Sequence, residues 1–298
     1  MGIQPTKRER ENLWEVLELA REEDLGSGDV TSAILPGDLH ARARFVPRQA
    51  LVFCGGALLE PIAVKYDGGI RTALRAEEGR PVAAGEVAAE WDGPARGILS
   101  AERVALNFLQ RLSGIATTTR AYVEAVAGTG AKIYDTRKTI PGWRELEKYA
   151  VRVGGGLNHR MGLYDAVLVK DNHLAIMARA EGMDPLTATG RELERVRPYL
   201  PQGAFVELEV DDLEQFRRAL DLDVDIILLD NMPLESLAEA VRLRDEAGAA
   251  GRVELEASGG ITLENVRSVA ATGVERIAIG ALTHSAEAAD IALDIEVD

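Results

Sequence analysis

The second half of this 298-residue chain repeats one pattern, a short apolar strand followed by a polar turn and a helix, and this repeat restricts the fold most. Helical stretches such as Leu213–Leu220 and Leu234–Ala247 separate the strands. Alternating strands and helices predict a parallel sheet, and the even spacing favours a closed barrel over an open doubly wound sheet. The predicted strands are Lys132–Tyr134, Ala166–Val169, Phe205–Val210, Ile226–Leu229, Val253–Ala257 and Arg276–Ile279.

Residues before about position 115 have a different texture, because short β-prone stretches alternate there with Gly and Pro. An amphipathic helix is predicted over Glu9–Glu22, and Ser100 is predicted to cap a long helix. We expect two domains, a sheet-rich one over residues 1–114 and a barrel over residues 115–284, with the tail 285–298 as a candidate to pack on the first. The β-prone stretches are Ala43–Val46, Leu51–Phe53, Ile70–Leu74 and Val87–Trp91.

Charge and cysteine content exclude several classes of protein. With 34 Lys and Arg against 49 Asp and Glu, the net charge is −15. A chain this acidic is unsuited to nucleic acids and membrane surfaces, which are polyanionic. The single cysteine, Cys54, excludes an intrachain disulfide and a cysteine-only zinc site. No apolar run reaches the ~18 residues of a membrane span, and we expect a cytoplasmic enzyme.

Charged or glycine residues follow every predicted strand of the barrel. Solvated loops explain one or two polar strand ends, but they do not explain six ends that carry charges or glycines. Since active sites of parallel barrels lie at the carboxyl ends of the strands, the pattern predicts an active site there. These ends are Asp135-Thr136-Arg137-Lys138, Lys170-Asp171-Asn172-His173, Glu209, Asp230-Asn231, Ser258-Gly259-Gly260 and Gly280.

Residues 132–170 form a basic island, with eight basic side chains against four acidic ones in an otherwise acidic chain. A cleft lined by one sign of charge concentrates ligands of the opposite sign, so the island predicts a small polyanionic ligand. The residues that flank strands are the candidates for binding it, namely Arg137, Lys138, Arg160 and Lys170. We expect Arg144, Lys148 and Arg152 to form a solvated helix face with ion pairs instead.

Glycines and carboxylates at the strand ends predict a phosphate site and a metal site. Ser258–Gly260 and Gly280 follow the last two strands, where barrels frequently bind phosphate. A helix starting at Thr262 is expected to offer N–H groups to that anion. Glu209 and Asp230 end neighbouring strands and suit Mg²⁺, which takes one or two protein carboxylates plus substrate phosphate.

Motifs along nearly the whole chain resemble the family of quinolinate phosphoribosyltransferase (decarboxylating), also called nicotinate-nucleotide pyrophosphorylase. Each piece alone is common, whereas the ordered set is specific. The motifs that carry the resemblance are Glu23–Asp29, Glu102–Asn107, Leu112–Thr117, Asp135–Thr139, Gly154–Arg160, Lys170–His173, Leu228–Asn231 and Glu256–Ile261.

This resemblance implies a reaction and an architecture. Quinolinate and phosphoribosyl pyrophosphate would give nicotinate mononucleotide, CO₂ and pyrophosphate in NAD biosynthesis, with Mg²⁺ as cofactor. The implied fold is α/β, with an N-terminal α/β sandwich domain and a C-terminal parallel, TIM-like barrel of fewer than eight strands. It also implies a homodimer in which Arg103 crosses into the partner's site.

The resemblance further implies roles for the candidate residues. The carboxylates of quinolinate would be held by Arg137, Arg160 and Lys170. The phosphoribosyl pyrophosphate and its Mg²⁺ would be held by Lys138, Glu209 and Asp230, which with Lys170 are the catalytic candidates. The ribose phosphate would be bound by Ser258, Gly259, Gly260 and Gly280. The neighbouring site residues are Thr136, His159 and His284.

Two other functions remain open on the residues alone. A barrel lyase could use Lys170, at a strand end, as the nucleophile that forms a Schiff base. A repurposed paralogue could bind a different phosphorylated ligand, although the intact set of charged strand ends speaks against it. Trapping a carbonyl substrate on Lys170 with borohydride separates the lyase from the transferase.

Overall fold

The computed structural model describes residues 3–297, and for Glu181 the backbone alone. Met1, Gly2 and Asp298, which fall within the predicted domain ranges, lie outside the described residues. The chain forms two compact units. The first contains the chain through Arg120, the stretch Lys138–Gly156 and the chain from Ala281, and the second contains Ala121–Arg137 and Leu157–Gly280.

The first unit begins with α1, Lys7–Leu25, which starts earlier than the predicted helix because a capping box forms at its N-terminus. The Thr6 hydroxyl accepts the Glu9 N–H at 3.2 Å, and the Glu9 carboxylate accepts the Thr6 N–H at 2.7 Å. This reciprocal pair satisfies two backbone donors that a helix end leaves open. Leu13 and Leu17 are buried on one face of α1, as the spacing predicts.

An antiparallel sheet forms the rest of the core of the first unit. Its strands are β1 (His40–Pro47), β3 (Arg71–Leu74), β5 (Ala89–Pro94) and β12 (Ile291–Val297), in the order β12-β1-β5-β3. A separate pair is formed by β2 (Leu51–Val52) and β4 (Pro81–Val82). Phe45 and Trp91 pack edge to face inside, with ring centroids 4.9 Å apart. The N-terminal domain is therefore mixed α/β with an antiparallel sheet.

Four more helices complete the elements that begin in this unit, and two expectations about them were wrong. The helices are α2 (Gly56–Tyr66), α3 (Ala95–Ala125), α4 (Arg144–Gly154) and α10 (Ala281–His284). Ser100 lies inside α3 rather than at its cap, and its hydroxyl donates to Asp29 at 2.8 Å. Lys148 is fully buried on α4, so α4 is not simply a solvated basic face. Arg152 on the same helix pairs with Glu9 at 2.6 Å.

The second unit contains the parallel sheet that the repeat predicts, and each strand lies within one residue of its predicted bounds. The strands are β6 (Lys132–Tyr134), β7 (Val167–Val169), β8 (Val206–Val210), β9 (Ile226–Asp230), β10 (Glu254–Ser258) and β11 (Arg276–Ala278). The helices between them are α5 (Asp171–Glu181), α6 (Pro185–Val196), α7 (Leu213–Ala219), α8 (Leu234–Glu246) and α9 (Val266–Ala270).

The strand order is that of a barrel with fewer than eight strands. It runs β6-β11-β10-β9-β8-β7, all parallel. From β7 to β11 chain neighbours are also sheet neighbours, whereas β6 pairs with β11, so β6 and β7 form the two ends. The free side of β6 is lined by Leu157, whose N–H donates to Ile133 O at 2.8 Å. Leu157 O in turn accepts the Asp135 N–H at 3.1 Å. A short extended segment therefore stands where another barrel strand would lie.

Candidate active site

Most of the predicted site residues lie along one edge of the parallel sheet. Because all six strands run in the same direction, their carboxyl ends share that edge. The predicted residues at or next to these ends are Thr136, Arg137, Lys170, Glu209, Asp230, Ser258, Gly259, Gly260 and Gly280. The structure thus brings together residues that are separated by up to six α-helices in the sequence.

A fully buried carboxylate, Asp135, ties the segment with His159 and Arg160 to the end of β6. Its Oδ1 accepts the His159 N–H at 2.9 Å, and its Oδ2 accepts the side-chain amide of Asn158 at 2.6 Å. Asp135 belongs to the first of the predicted strand-end motifs, but no role was assigned to it from the sequence. The signal that could have found it is an acidic residue at a strand end within the basic island.

Two arginines of the basic island lie close enough to repel each other. Arg160 is buried, and its guanidinium donates to Ala166 O at 3.3 Å. Burial and the nearby charge of Arg137 lower the pKa of Arg160. An anion bound by both guanidinium groups would offset both effects, and arginine forks match the geometry of carboxylate and phosphate. The pair is therefore suited to a ligand with negative charge.

An ion pair at the strand edge joins Lys170, after β7, to the Glu209 carboxylate near the end of β8. Glu209 is nearly buried, whereas Lys170 is partly exposed. Glu209 pairs in register with Leu228 of β9, so Asp230, two residues further on, has its side chain on the same face of the sheet. Two carboxylates and one ammonium group thus share this part of the edge.

The turn after β10 needs glycine for steric reasons. Gly259 and Gly260 have φ values of +89° and +61°, and a Cβ at Gly259 would lie 3.0 Å from the Asn231 nitrogen. Asn231 is itself left-handed, with φ 52°, and its N–H donates to Ser258 O at 2.8 Å. The two neighbouring strand ends therefore interlock, and they line a cavity of about 360 Å³.

The helix expected at Thr262 begins later. The short helix α9 starts at Val266 and has five residues, because Asn265 forms a turn with Thr262 first. The Asn265 side chain accepts the Thr262 N–H at 2.9 Å and donates to Gly260 O at 3.0 Å. The N–H groups near Ser258–Gly260 therefore come from a turn rather than from a helix N-terminus.

Three predicted site residues belong to the first unit. Lys138 follows the strand end of β6 in the chain, and its carbonyl accepts the Thr283 hydroxyl at 2.7 Å. His284 ends α10, and its Nδ1 lies 2.6 Å from the Ser285 hydroxyl. Arg103 is exposed on α3.

A buried cluster of four charged side chains lies against one face of the parallel sheet, and of these only His159 was predicted as a site residue. His159 Nε2 lies 2.9 Å from Glu207 Oε2 and 3.4 Å from Glu256 Oε1. Arg276 Nε donates to Glu256 at 2.7 Å, and its guanidinium lies 3.8 Å from the ring centroid of Tyr134. The signal was present: acidic residues occupy every second position of two apolar strands, which places them on one face.

Electrostatics explain why four charges can be buried together. Burial opposes the imidazolium form, but Glu207 and Glu256 together raise the pKa of His159 to about 9. Burial raises the pKa of Glu207, whereas His159 and Arg276 overcome burial and lower that of Glu256. The three carboxylate and imidazole donors lie within 4.8 Å of one another, as metal ligands do, yet Arg276 and the imidazolium already balance the two carboxylates.

Comparison with family models identifies the protein family of the chain. The model of the quinolinate phosphoribosyl transferase C-terminal domain matches residues 115–294, and that of the N-terminal domain matches residues 29–113. The chain belongs to the quinolinate phosphoribosyltransferase family. The resemblance found in the motifs is thereby confirmed.

Curated members of the quinolinate phosphoribosyltransferase family are similar over nearly the full chain. The nicotinate-nucleotide pyrophosphorylase (carboxylating) of Mycobacterium leprae is 45% identical over 93% of this chain and 94% of its own. A probable nicotinate-nucleotide pyrophosphorylase (carboxylating) of Bacillus subtilis is 41% identical over 92% and 90%. The quinolinate phosphoribosyltransferase (decarboxylating) 2b, mitochondrial, of Nicotiana tabacum is 40% identical over 100% and 86%.

Solved structures of the family share the fold. NadC from Streptococcus pyogenes superposes with a TM-score of 0.88 at 36% identity and covers 100% of both chains. The nicotinate-nucleotide pyrophosphorylase from Francisella tularensis has a TM-score of 0.86 at 33% identity, over 99% of this chain and 100% of its own. The predicted fold class, a mixed α/β N-terminal domain with a parallel α/β barrel, is confirmed.

Family membership favours the transferase over the two alternatives. No helix within residues 3–297 is long and apolar enough to cross a membrane.

Proposed function

We propose that this chain transfers the phosphoribosyl group of phosphoribosyl pyrophosphate to quinolinate with loss of CO₂. The products are nicotinate mononucleotide and pyrophosphate, on the route to NAD. The observation that carries the proposal is the sheet edge that brings Arg137 and Lys170 together with the Ser258–Gly260 turn, with Arg160 buried next to it. In a member of this family, such an edge offers both a dicarboxylate site and a phosphate site.

Quinolinate carries two adjacent carboxylates, and the arginine pair suits them. Each guanidinium can donate two parallel hydrogen bonds to one carboxylate. Binding of a dianion offsets the burial and the repulsion from Arg137 that lower the pKa of Arg160. Lys170, which is partly exposed at the end of β7, adds a third positive charge. Recognition of both carboxylates separates quinolinate from pyridine monocarboxylates.

Phosphoribosyl pyrophosphate presents a phosphate at one end and a pyrophosphate at the other. We assign the phosphate to Ser258, Gly259, Gly260 and Gly280, where the glycine turn lets the backbone approach a ligand closely. We assign the pyrophosphate to Lys138. Thr136, in the same loop after β6, and His284, after β11, are assigned as its neighbours. We also assign His159, which contacts Glu207 and Glu256, as a neighbour of the substrate groups.

The carboxylates Glu209 and Asp230 fit a magnesium ion. They lie on neighbouring strands with both side chains on one face, which is the donor set that Mg²⁺ takes together with substrate phosphate oxygens. The pairing of Glu209 with Lys170 shows that this carboxylate already serves as a partner for positive charge. When bound, Mg²⁺ would neutralise charge on the pyrophosphate group.

The chemistry then requires positioning and charge neutralisation. The ring nitrogen of quinolinate bonds to the anomeric carbon while that carbon's bond to pyrophosphate breaks, and pyrophosphate leaves with the electron pair. Lys138 stabilises the charge that grows on it. The ring nitrogen is now cationic and stabilises the carbanion left when the adjacent carboxylate departs as CO₂. A proton from solvent completes the product, and Arg137 and Arg160 hold the ring in place throughout.

We further propose a homodimer in which Arg103 enters the partner's site. The exposure of Arg103 on α3 supports this, because a positive charge there is available to a second copy. A cytoplasmic location is proposed as well, supported by Cys54, a buried free thiol of the kind that persists in reducing compartments. Fractionation of cells that express the chain tests the location.

A turnover assay tests the proposed reaction directly. The protein with Mg²⁺ and phosphoribosyl pyrophosphate is given quinolinate or, in parallel, nicotinate, which lacks the second carboxylate. We expect loss of quinolinate absorbance with equal release of CO₂, and no product from nicotinate. Folded protein that leaves quinolinate untouched would move the assignment to a paralogue with another acceptor.

A further inference from the structure

A closed chain of hydrogen bonds surrounds the loop that carries Lys138. The Thr283 hydroxyl donates to Lys138 O at 2.7 Å, and Thr283 O accepts from the Arg111 guanidinium. Arg111 also donates to Glu147 Oε1 at 3.0 and 2.6 Å. Glu147 Oε2 accepts the Ile140 N–H at 3.2 Å, so the chain of contacts starts at residue 138 and returns at residue 140.

These contacts are buried, which makes each of them costly to break. Thr283 and Glu147 have no exposed surface, and the Arg111 side chain is 19% exposed. Burial raises the pKa of Glu147, and the ion pair with Arg111 opposes that effect. Removing one partner leaves a buried charge or polar group unsatisfied. The loop therefore has one strongly favoured backbone position.

The segment after Thr283 is fixed by α3, the helix that also carries Arg111. Gly114 of α3 lies so close to the Glu287 carbonyl that a Cβ would approach its oxygen to 2.0 Å. The Ala289 N–H donates to Gln110 O at 2.9 Å. Since residues 135–143 form no helix or strand, α3 supplies the rigid support that the loop itself lacks.

We propose that Arg111, Glu147 and Thr283 are positioning residues for Lys138. By holding the backbone on both sides of Thr139, they fix the point from which the flexible lysine side chain reaches the pyrophosphate of the substrate. The inference rests on the proposed function, since it assigns Lys138 to that group. Displacement of a catalytic group by about 1 Å can cost about 10²-fold in rate. Loss of these contacts therefore lowers activity although every side chain that binds substrate is still present.

The test uses Thr283→Val, which keeps the shape of the side chain and removes its hydroxyl. We expect kcat/KM for phosphoribosyl pyrophosphate to fall by about tenfold or more, and Thr283→Ser, which keeps the hydroxyl, to stay near the wild type. The matched control is Thr189→Val, another buried threonine, on α6. Melting temperatures of the three variants separate folding from positioning. Glu147→Gln replaces Thr283→Val if that variant does not fold.

A double variant distinguishes positioning from general damage. If Thr283 acts through Lys138, then Thr283→Val causes no further loss in a Lys138→Ala background. The inference is overturned if the activity losses of the two substitutions multiply in the double variant, or if Thr283→Val is as active as Thr189→Val. In either case, a large loss of activity in Lys138→Ala alone still supports the proposed function. If the wild type turns over no quinolinate, the proposed function fails. Calorimetric binding of phosphoribosyl pyrophosphate to the same variants then decides the inference.

Discussion

At the scale of single residues, His159 shows how buried charges connect the site to stability. Its pKa of about 9 lies above the value of about 6.5 for an exposed imidazole. The Arg160 N–H, which donates to Nδ1 at 2.8 Å, works in the other direction because it needs an unprotonated nitrogen. Two buried carboxylates outweigh one neutral donor, since hydrogen bonds involving charged groups are the stronger ones.

Stability should therefore decline as the solution becomes basic. The contribution of the His159 proton is fully present below about pH 6.5, declines as the pH rises, and is lost above about 9. The pKa difference corresponds to on the order of 3 kcal/mol. Urea unfolding of the wild type and of His159→Gln at pH 6.5, 8 and 9.5 checks this. We expect the gap between the two proteins to shrink with pH, and parallel curves would contradict it.

Lys138 carries a second prediction at this scale. Replacing it with Ala should slow turnover of quinolinate by on the order of 10²-fold or more, because the charge that grows on pyrophosphate loses its partner. Steady-state rates at saturating substrates measure the effect. The control is Lys7→Ala, which removes an exposed lysine of α1. Near-normal turnover would remove Lys138 from the mechanism.

Residues at strand ends could be predicted, whereas the pairings of charged residues inside the sheet could not. Glu209 stands out in the sequence because a loop follows it and barrels place chemistry there. Glu207 has the same type and the same strand, but nothing in a single sequence shows that His159, 48 positions earlier, neutralises it. Pairings between distant segments become visible once the chain is folded.

At the scale of elements, α3 organises the first unit. Its 31 residues make it the longest helix within residues 3–297. Sequence reasoning predicted a long helix here but placed its start at Ser100, because a serine before a helical pattern is a good cap. In the structure the Ser100 hydroxyl instead donates a hydrogen bond to Asp29, 71 positions earlier in the chain. Local capping rules apply only where no distant partner competes for the same group.

The close approach at Gly114 gives a prediction about this helix. Alanine is favoured over glycine in helices by about 1 kcal/mol, so local propensity alone says that Gly114→Ala stabilises. A Cβ at Gly114 would clash with Glu287 O, which reverses this, and we expect a loss of about 1–3 kcal/mol from overpacking. Thermal unfolding measures the change. Gly68→Ala, at a position where a Cβ meets nothing within 4 Å, should change stability little.

At the scale of the whole molecule, the proposed dimer is open to a complementation test. Arg103→Ala and Lys170→Ala should each abolish activity alone. Mixed and allowed to exchange, they should regain about a quarter of the wild-type rate, because about half of the dimers are mixed and each mixed dimer has one intact site. No recovery after verified exchange would count against a shared site.

The barrel was the easiest part to predict at this scale, and the last strand was the hardest. Six strands with regular spacing reveal a parallel barrel from the repeat alone. By contrast, β12 was not predicted as a strand, because its partner β1 lies about 250 positions earlier, as in the pair Arg44 and Asp294. Periodicity describes neighbours along the chain and says nothing of such a pairing.

That pairing sets an order of events during synthesis. β1 leaves the ribosome about 250 residues before β12, so this edge of the antiparallel sheet stays open until β12 has been made. The six parallel strands emerge in between and pair largely with neighbours in the chain, so they can assemble while synthesis continues. A nascent chain stalled before Ile291 would therefore expose an unpaired strand for as long as the stall lasts.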